Sequence, residues 1–312
     1  TGATVILLFF WPGTPQGKLL IITLTILSAS FIAGSAGMIL KKGWKRKRPI
    51  NIILNLFFLI IGLACMIFGS YWLIRKGVEM DMPVNAALKS DYRPEKIALT
   101  DPSDEGDFEV FQVYYGSGKD KHREEYGKNV NILTDSVDGS RFITNWEKFH
   151  GWARTRYWGF NDKALPLNAR VWYPGGNGPF PLVLIVHGNH LDREYSDPGY
   201  EYLGRLMASR GFIFASVDEN FLNGTWSDIF NSLKEENDCR AWLLLKHLGL
   251  WHEWNNDTIS PFFKKVDPER IALIGHSRGG EAVAIAAALN QLPYYPDDAT
   301  VKFDFGYKIL SV

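Results

Sequence analysis

Arg270-Ile271-Ala272-Leu273-Ile274-Gly275-His276-Ser277-Arg278-Gly279-Gly280 is the stretch that decides the fold. Arg270–Ile274 is a short apolar run, the pattern of a strand buried on both faces. From Gly279 to Leu289 the chain is almost wholly small and apolar, which predicts a buried helix. Only a few residues lie between the two, so the chain must reverse there from strand to helix. Such a turn forces its central residue into a strained backbone conformation. Glycines two before and two after remove the side chains that would collide. The spacing Gly275-x-Ser277-x-Gly279 meets this need and leaves the Ser277 hydroxyl raised above the end of the sheet. The N-terminus of the next helix points at any negative charge that develops beside it. Ser277 is therefore the candidate nucleophile.

The flanking sequence repeats this alternation. Pro181–Val186 is a second continuous apolar run, closed by His187-Gly188-Asn189-His190. Phe212–Val217 is a third, ending at Asp218, and Lys308–Val312 begins a fourth. Between the second and third runs, Asp197 as N-cap, Pro198 at the first position and Gly211 at the end predict a helix with residues 202, 203, 206 and 207 on one face. Residues 233–250 read as another helix, with Ala241, Leu244, Leu245 and Leu248 at helical spacing. Phe108–Tyr115, Val130–Thr134 and Asn168–Tyr173 read as earlier strands. Alternating strands and helices predict an α/β fold, a mostly parallel, doubly wound sheet with helices on both faces.

With elbow, His-Gly loop and strand order in place, residues from roughly 105 to 312 resemble the α/β-hydrolase superfamily. The hexapeptide Gly275-His-Ser-Arg-Gly-Gly280 is similar to the elbow of chlorophyllases and of related bacterial esterase-like hydrolases. The resemblance implies a serine ester hydrolase of the carboxylesterase or lipase kind, acting through an acyl-enzyme on Ser277. It also implies an oxyanion hole made by the main-chain N–H groups of Asn189 and Arg278. A Ser-acid-His triad in that chain order would complete the site. No histidine follows Ser277, and the acids beyond the elbow helix, Asp297, Asp298 and Asp304, all precede the strand near Lys308. None of them is assigned. The triad acid and histidine are expected beyond Val312, together with the C-terminal strands of the sheet. A serine without its base is a poor nucleophile, so the alternatives are a catalytically silent binding domain or a serine acyltransferase.

Other residues carry weaker signals. His190, His276 and Asp218 are candidates for substrate binding. The plainer roles are a loop end for His190, packing for His276 and an unpaired loop acid for Asp218. His187 reads as structural, and His247 and His252 as cations near a helix end. Tyr157, Trp158 and Phe160 form either an apolar wall or part of the core. Neither the cysteines, Cys65 and Cys239, nor any carboxylate cluster has ligand spacing, so no metal and no cofactor is expected.

The N-terminal quarter is of a different kind. Residues 1–80 hold nine Lys or Arg and one acid, a net +8, against −8 for the rest. An acidic remainder argues against nucleic acid as a partner. Leu19–Leu40 and Pro49–Ile74 are uncharged runs of 22 and 26 residues, long enough to span a bilayer core of about 30 Å. The first is rich in Ser, Ala and Gly, which let helices approach closely, and Asn51 and Asn55 either bond a neighbouring helix or sit near the headgroups, the second being the expectation. Residues 3–11 read as the end of an earlier span, followed by a turn at residues 12–15. With Thr1 at the start, the sequence is expected to be a piece of a longer protein; a cleaved signal peptide is the alternative, but no basic segment precedes the apolar run. Six basic residues within 41–48 are expected to stay cytoplasmic, which places everything after Ile74 outside. The expected organisation is a membrane region over 1–76 (spans about 19–40 and 50–74), a linker over 77–105 and a hydrolase domain over 106–312. The expected partners are the lipid bilayer and a small-molecule ester, and the expected location is the bacterial cell membrane with the hydrolase domain extracytoplasmic.

Overall fold

A computed structural model of the chain describes residues 15–40, 48–75, 98–99, 101–229 and 232–312. The chain divides into two compact units, Thr1–Lys96 and Ile97–Val312. The expected earlier span at 3–11 and the turn at 12–14 lie outside the described residues, as do nearly all of the basic loop and most of the linker.

In the first unit, helices α1 (Pro15–Leu40) and α2 (Pro49–Ile74) are long and apolar enough to cross a membrane. Small residues let them meet closely. A side chain on Gly62 would lie 3.0 Å from the Ser28 carbonyl. Phe31 and Phe58 rings stand 5.1 Å apart. Further along, the Ser35 hydroxyl donates to the Asn55 carbonyl (3.1 Å), and Asn55 Nδ2 donates to the Ser35 carbonyl (3.3 Å). These pairs run in opposite senses along the two helices, so the helices are antiparallel. The expectation for Asn55 is corrected here: it bonds a neighbouring helix, because an amide in an apolar surround gains most from a partner. Asn51 is exposed.

The second unit is built on a seven-stranded sheet: β1 (Val110–Gly116), β2 (Ile132–Leu133), β3 (Asn168–Pro174), β4 (Phe180–Val186), β5 (Ile213–Asp218), β6 (Val266–Gly275) and β9 (Ile309–Ser311). A separate hairpin joins β7 (Tyr294–Tyr295) to β8 (Asp298–Lys302). The sheet order is β2-β1-β3-β5-β4-β6-β9. β3 runs antiparallel to both neighbours and every other pairing is parallel. The helices are α3 (Phe149–Trp158), α4 (Glu201–Ser209), α5 (Glu236–Asn256) and α6 (Arg278–Leu289).

The period-two rule of a strand divides the core. Leu182, Leu184 and Val186 of β4 join Ile213, Ala215 and Val217 of β5 and Ile271 and Leu273 of β6 on one face. Leu244, Leu245, Leu248 and Trp251 of α5 and Val283, Ala286 and Leu289 of α6 cover them. Val183, Ile185 and Phe214 point to the other face, where Leu203, Met207 and Ala208 of α4 pack. Burial on both faces explains why these strands read as unbroken apolar runs.

Several local readings are corrected. The helix after β4 opens as a 3-10 turn over Asp197–Tyr200, and Asp197 has no capping bond because its carboxylate is taken by an arginine. Tyr202 faces solvent and the inner face is Leu203, Gly204, Met207 and Ala208. α5 runs on to Asn256, so His247 sits inside the helix. There it is fully buried and meets the Tyr115 hydroxyl at 2.8 Å, and burial pushes its pKa down to about 3, so it is not a helix-end cation. α6 buries one face only, with Ala284 and Ala288 exposed.

An arginine-centred cluster fixes one end of the sheet. The Arg123 guanidinium is bidentate to Asp197 at 2.6 and 2.7 Å, lies 3.2 Å from Asp218 and reaches Glu125 at 3.0 Å. It lies over the rings of Tyr126 (4.4 Å) and Tyr195 (4.6 Å). Burial alone would lower its pKa, but Asp218 and Asp197 hold it up and keep the charge. Removing one partner of such a pair leaves an uncompensated buried charge. Arg123→Met is expected to destabilise this unit by about 3–5 kcal/mol in chemical denaturation. Lys128→Ala, which breaks only the exposed pair with Glu124, should change stability by no more than about 0.5 kcal/mol.

Candidate active site

The parallel register of β4 and β6 creates the site. Val186 lies opposite Gly275, so both strands end side by side. The loop after β4 and the turn after β6 then leave the same edge of the sheet, and the His276 N–H binds back to the Val186 carbonyl at 3.1 Å.

The turn at Ser277 has the strained geometry that its sequence required. Ser277 sits at φ 54°, ψ −118°, a conformation that side-chain-bearing residues rarely adopt. A side chain on Gly275 would fall 2.0 Å from the Gly279 carbonyl oxygen. One on Gly279 would fall 2.4 Å from the Val186 carbonyl oxygen. Both glycines are thus fixed by backbone approaching backbone. A side chain on Gly188 would lie 2.9 Å from Ser277 Cβ, which places the His-Gly loop directly against the serine.

Asn189 and Arg278 flank this position. Among the described residues neither main-chain N–H has a hydrogen-bond partner, so both remain available to an acceptor. Arg278 opens α6, where the helix dipole adds to the favourable field. Its side chain ion-pairs with Glu236 at the start of α5. One residue further along α5 and three further along α6, Asn237 Nδ2 donates to Glu281 at 2.5 Å. The elbow is therefore laced to α5 at two points.

Behind the His-Gly loop lies a buried polar brace that the sequence did not announce. His187 Nε2 accepts the Glu219 N–H at 3.1 Å, which leaves Nδ1 to donate to the Gly188 carbonyl at 2.8 Å. Burial pushes the His187 pKa down to about 4, so the ring is neutral and holds one tautomer. Arg240 of α5, fully buried, donates to Asn223 at 2.7 Å and to Glu219 at 3.4 Å. Burial pushes the Glu219 carboxyl up to about 8 against the opposing pull of Arg240. Asn189 Oδ1 accepts the Gly224 N–H at 2.8 Å, which ties the His-Gly loop to the same segment. A lone arginine in an apolar helix, with Leu244, His247 and Trp251 on its stripe, is the signal that could have revealed Arg240.

The structure places the other candidates unevenly. Ser277, His276, Asn189 and His190 are all exposed at the same edge of the sheet. The rings of His190 and His276 stack with centroids 6.5 Å apart, and His276 is exposed rather than packed in the core. Asp218 is not among these exposed residues. It is buried, accepts from Asn220 at 2.5 and 3.1 Å, and pairs with Arg123. It is neither a pocket wall nor an unpaired loop acid, because the end of β5 sets its carboxylate 3.2 Å from that guanidinium. Trp158 belongs to the core, and Tyr157 and Phe160 pack on it.

A mostly parallel sheet with helices on both faces, and a strained serine between β6 and α6, make an α/β fold of the α/β-hydrolase kind. Residues 159–303 match the family model of chlorophyllase, an α/β-hydrolase-like family. That segment takes in the His-Gly loop, the brace and the elbow, and the match supports a hydrolase. Among curated proteins, none matches the chain.

The strain at Ser277 is measurable. Positions like this cost about 1–3 kcal/mol, whereas glycine costs about 0.5–1 kcal/mol in added chain entropy. Ser277→Gly is expected to be more stable than Ser277→Ala by about 1 kcal/mol in chemical denaturation. Equal stabilities would show that the backbone at 277 carries no strain.

Proposed function

We infer that the protein is a membrane-anchored serine hydrolase that cleaves an ester through an acyl-enzyme on Ser277. The observation that carries this reading is the raised serine at φ 54° with two unpartnered N–H groups, of Asn189 and Arg278, beside it. An ester carbonyl placed over Ser277 would put its developing oxyanion between those donors and the N-terminus of α6. Each such donor is worth about 100- to 1,000-fold in rate. The Ser277 hydroxyl would attack the carbonyl carbon, the alcohol would leave, and water would release the acid.

His190 and His276, the paired exposed imidazoles on the loops beside Ser277, would contact the substrate, an apolar or lipid-like ester. Anchoring rests on α1 and α2, and an extracytoplasmic hydrolase unit in the bacterial cell membrane rests on the six basic residues between them. With the complete protein in detergent, hydrolysis of short-chain nitrophenyl esters should fall at least about 1,000-fold in Ser277→Ala. Equal turnover by both proteins would remove Ser277 from the chemistry. Transfer of the acyl group to an added alcohol in preference to water would instead support an acyltransferase.

A further inference from the structure

Away from Ser277, α3 and the loops beside it enclose an open groove of about 450 Å³. Its rim carries Lys121, Arg156 and Arg193, and its floor carries Trp152, Tyr157 and Trp226. Lys121, Arg156 and Arg193 are all exposed, and among the described residues none of them has a carboxylate within ion-pair distance. Asp192 and Glu194 flank Arg193 in the chain, whereas the acids beside Lys121 and Trp226 are engaged elsewhere. Asp120 accepts the N–H groups of His122 and Arg123, and Asp228 pairs with Arg154. The aromatic floor is held in place: His122 stacks on Tyr157 at 4.0 Å, and the Arg193 guanidinium lies over the same ring at 4.6 Å.

Two features set the groove apart from an ordinary solvated surface. It concentrates cations on a part of the chain whose net charge is −8 over residues 81–312. It also leaves Trp152 60% and Trp226 48% exposed, an arrangement that costs apolar hydration unless something covers the rings. Tryptophan beside Arg and Lys matches the chemistry of a lipid headgroup region, apolar rings meeting glycerol and acyl carbon while the cations meet phosphate. We propose that this groove binds the headgroup of an anionic phospholipid, with Arg156, Arg193 and Lys121 on the phosphate and Trp152 and Trp226 against the glycerol and first acyl carbons. The site is independent of the reading of Ser277.

The test is calorimetric titration of the full chain, solubilised in a maltoside detergent, with three probes: dihexanoyl phosphatidylglycerol, dihexanoyl phosphatidylcholine and inorganic phosphate. The phosphatidylglycerol should bind at least tenfold more tightly than either of the others. Its affinity should fall at least tenfold in the double variant R156Q/R193Q and at least several-fold in Trp152→Ala, with Lys128→Gln unchanged. Thermal unfolding of the same variants, unchanged from that of the parent chain, shows that they are folded. Equal binding of phosphatidylcholine, binding of inorganic phosphate as tight as the lipid, or full affinity in R156Q/R193Q would each overturn the proposal.

Discussion

The chain reversal at Ser277 is the constraint from which the rest of the hydrolase unit follows. For β6 to feed α6 within three residues, Gly279 must pass 2.4 Å from the Val186 carbonyl at the position of a missing side chain. That contact is possible only if β4 and β6 are adjacent, parallel and in the register that sets Val186 opposite Gly275. The same register brings the loop after β4 against the serine. A strained residue persists only where its surroundings over-determine it, and here the surroundings are backbone atoms that cannot move aside.

Two buried polar systems hold the strand ends in place around this point, and they act differently. The Arg240–Glu219–Asn223 brace with neutral His187 fixes loops, through bonds to main-chain groups of residues 188 and 219. The Arg123 cluster fixes strands and long connections, joining the segment near 123 to Asp197 after β4 and Asp218 at the end of β5. Each costs desolvation that only full pairing offsets. Their shared benefit is a rigid edge from which Asn189 and Arg278 present their N–H groups.

Much of this was legible in the sequence, for identifiable reasons. Strands buried on both faces leave continuous apolar runs, so β4, β5 and β6 could be read directly, and the glycine spacing around Ser277 reports a steric need that no other residue meets. The two apolar helices could be read from length and lack of charge alone. Long-range polar pairing left no such trace. Asp218 read as a loop acid because nothing local ties it to Arg123, 95 residues earlier in the sequence. α3 was missed because its polar and aromatic residues lack a clean helical stripe, and Asn55 was misplaced because its partner, Ser35, lies on another helix. Residues whose role is local were readable, and residues whose role depends on a distant partner were not.

The most direct measurement is a structure of the protein after reaction with a fluorophosphonate. A phosphonyl group on Ser277 Oγ is expected, with its oxygen about 2.7–3.1 Å from the main-chain nitrogens of Asn189 and Arg278. An adduct on any other residue, or a phosphonyl oxygen turned away from both N–H groups, would contradict the assignment of this turn as the acylation site.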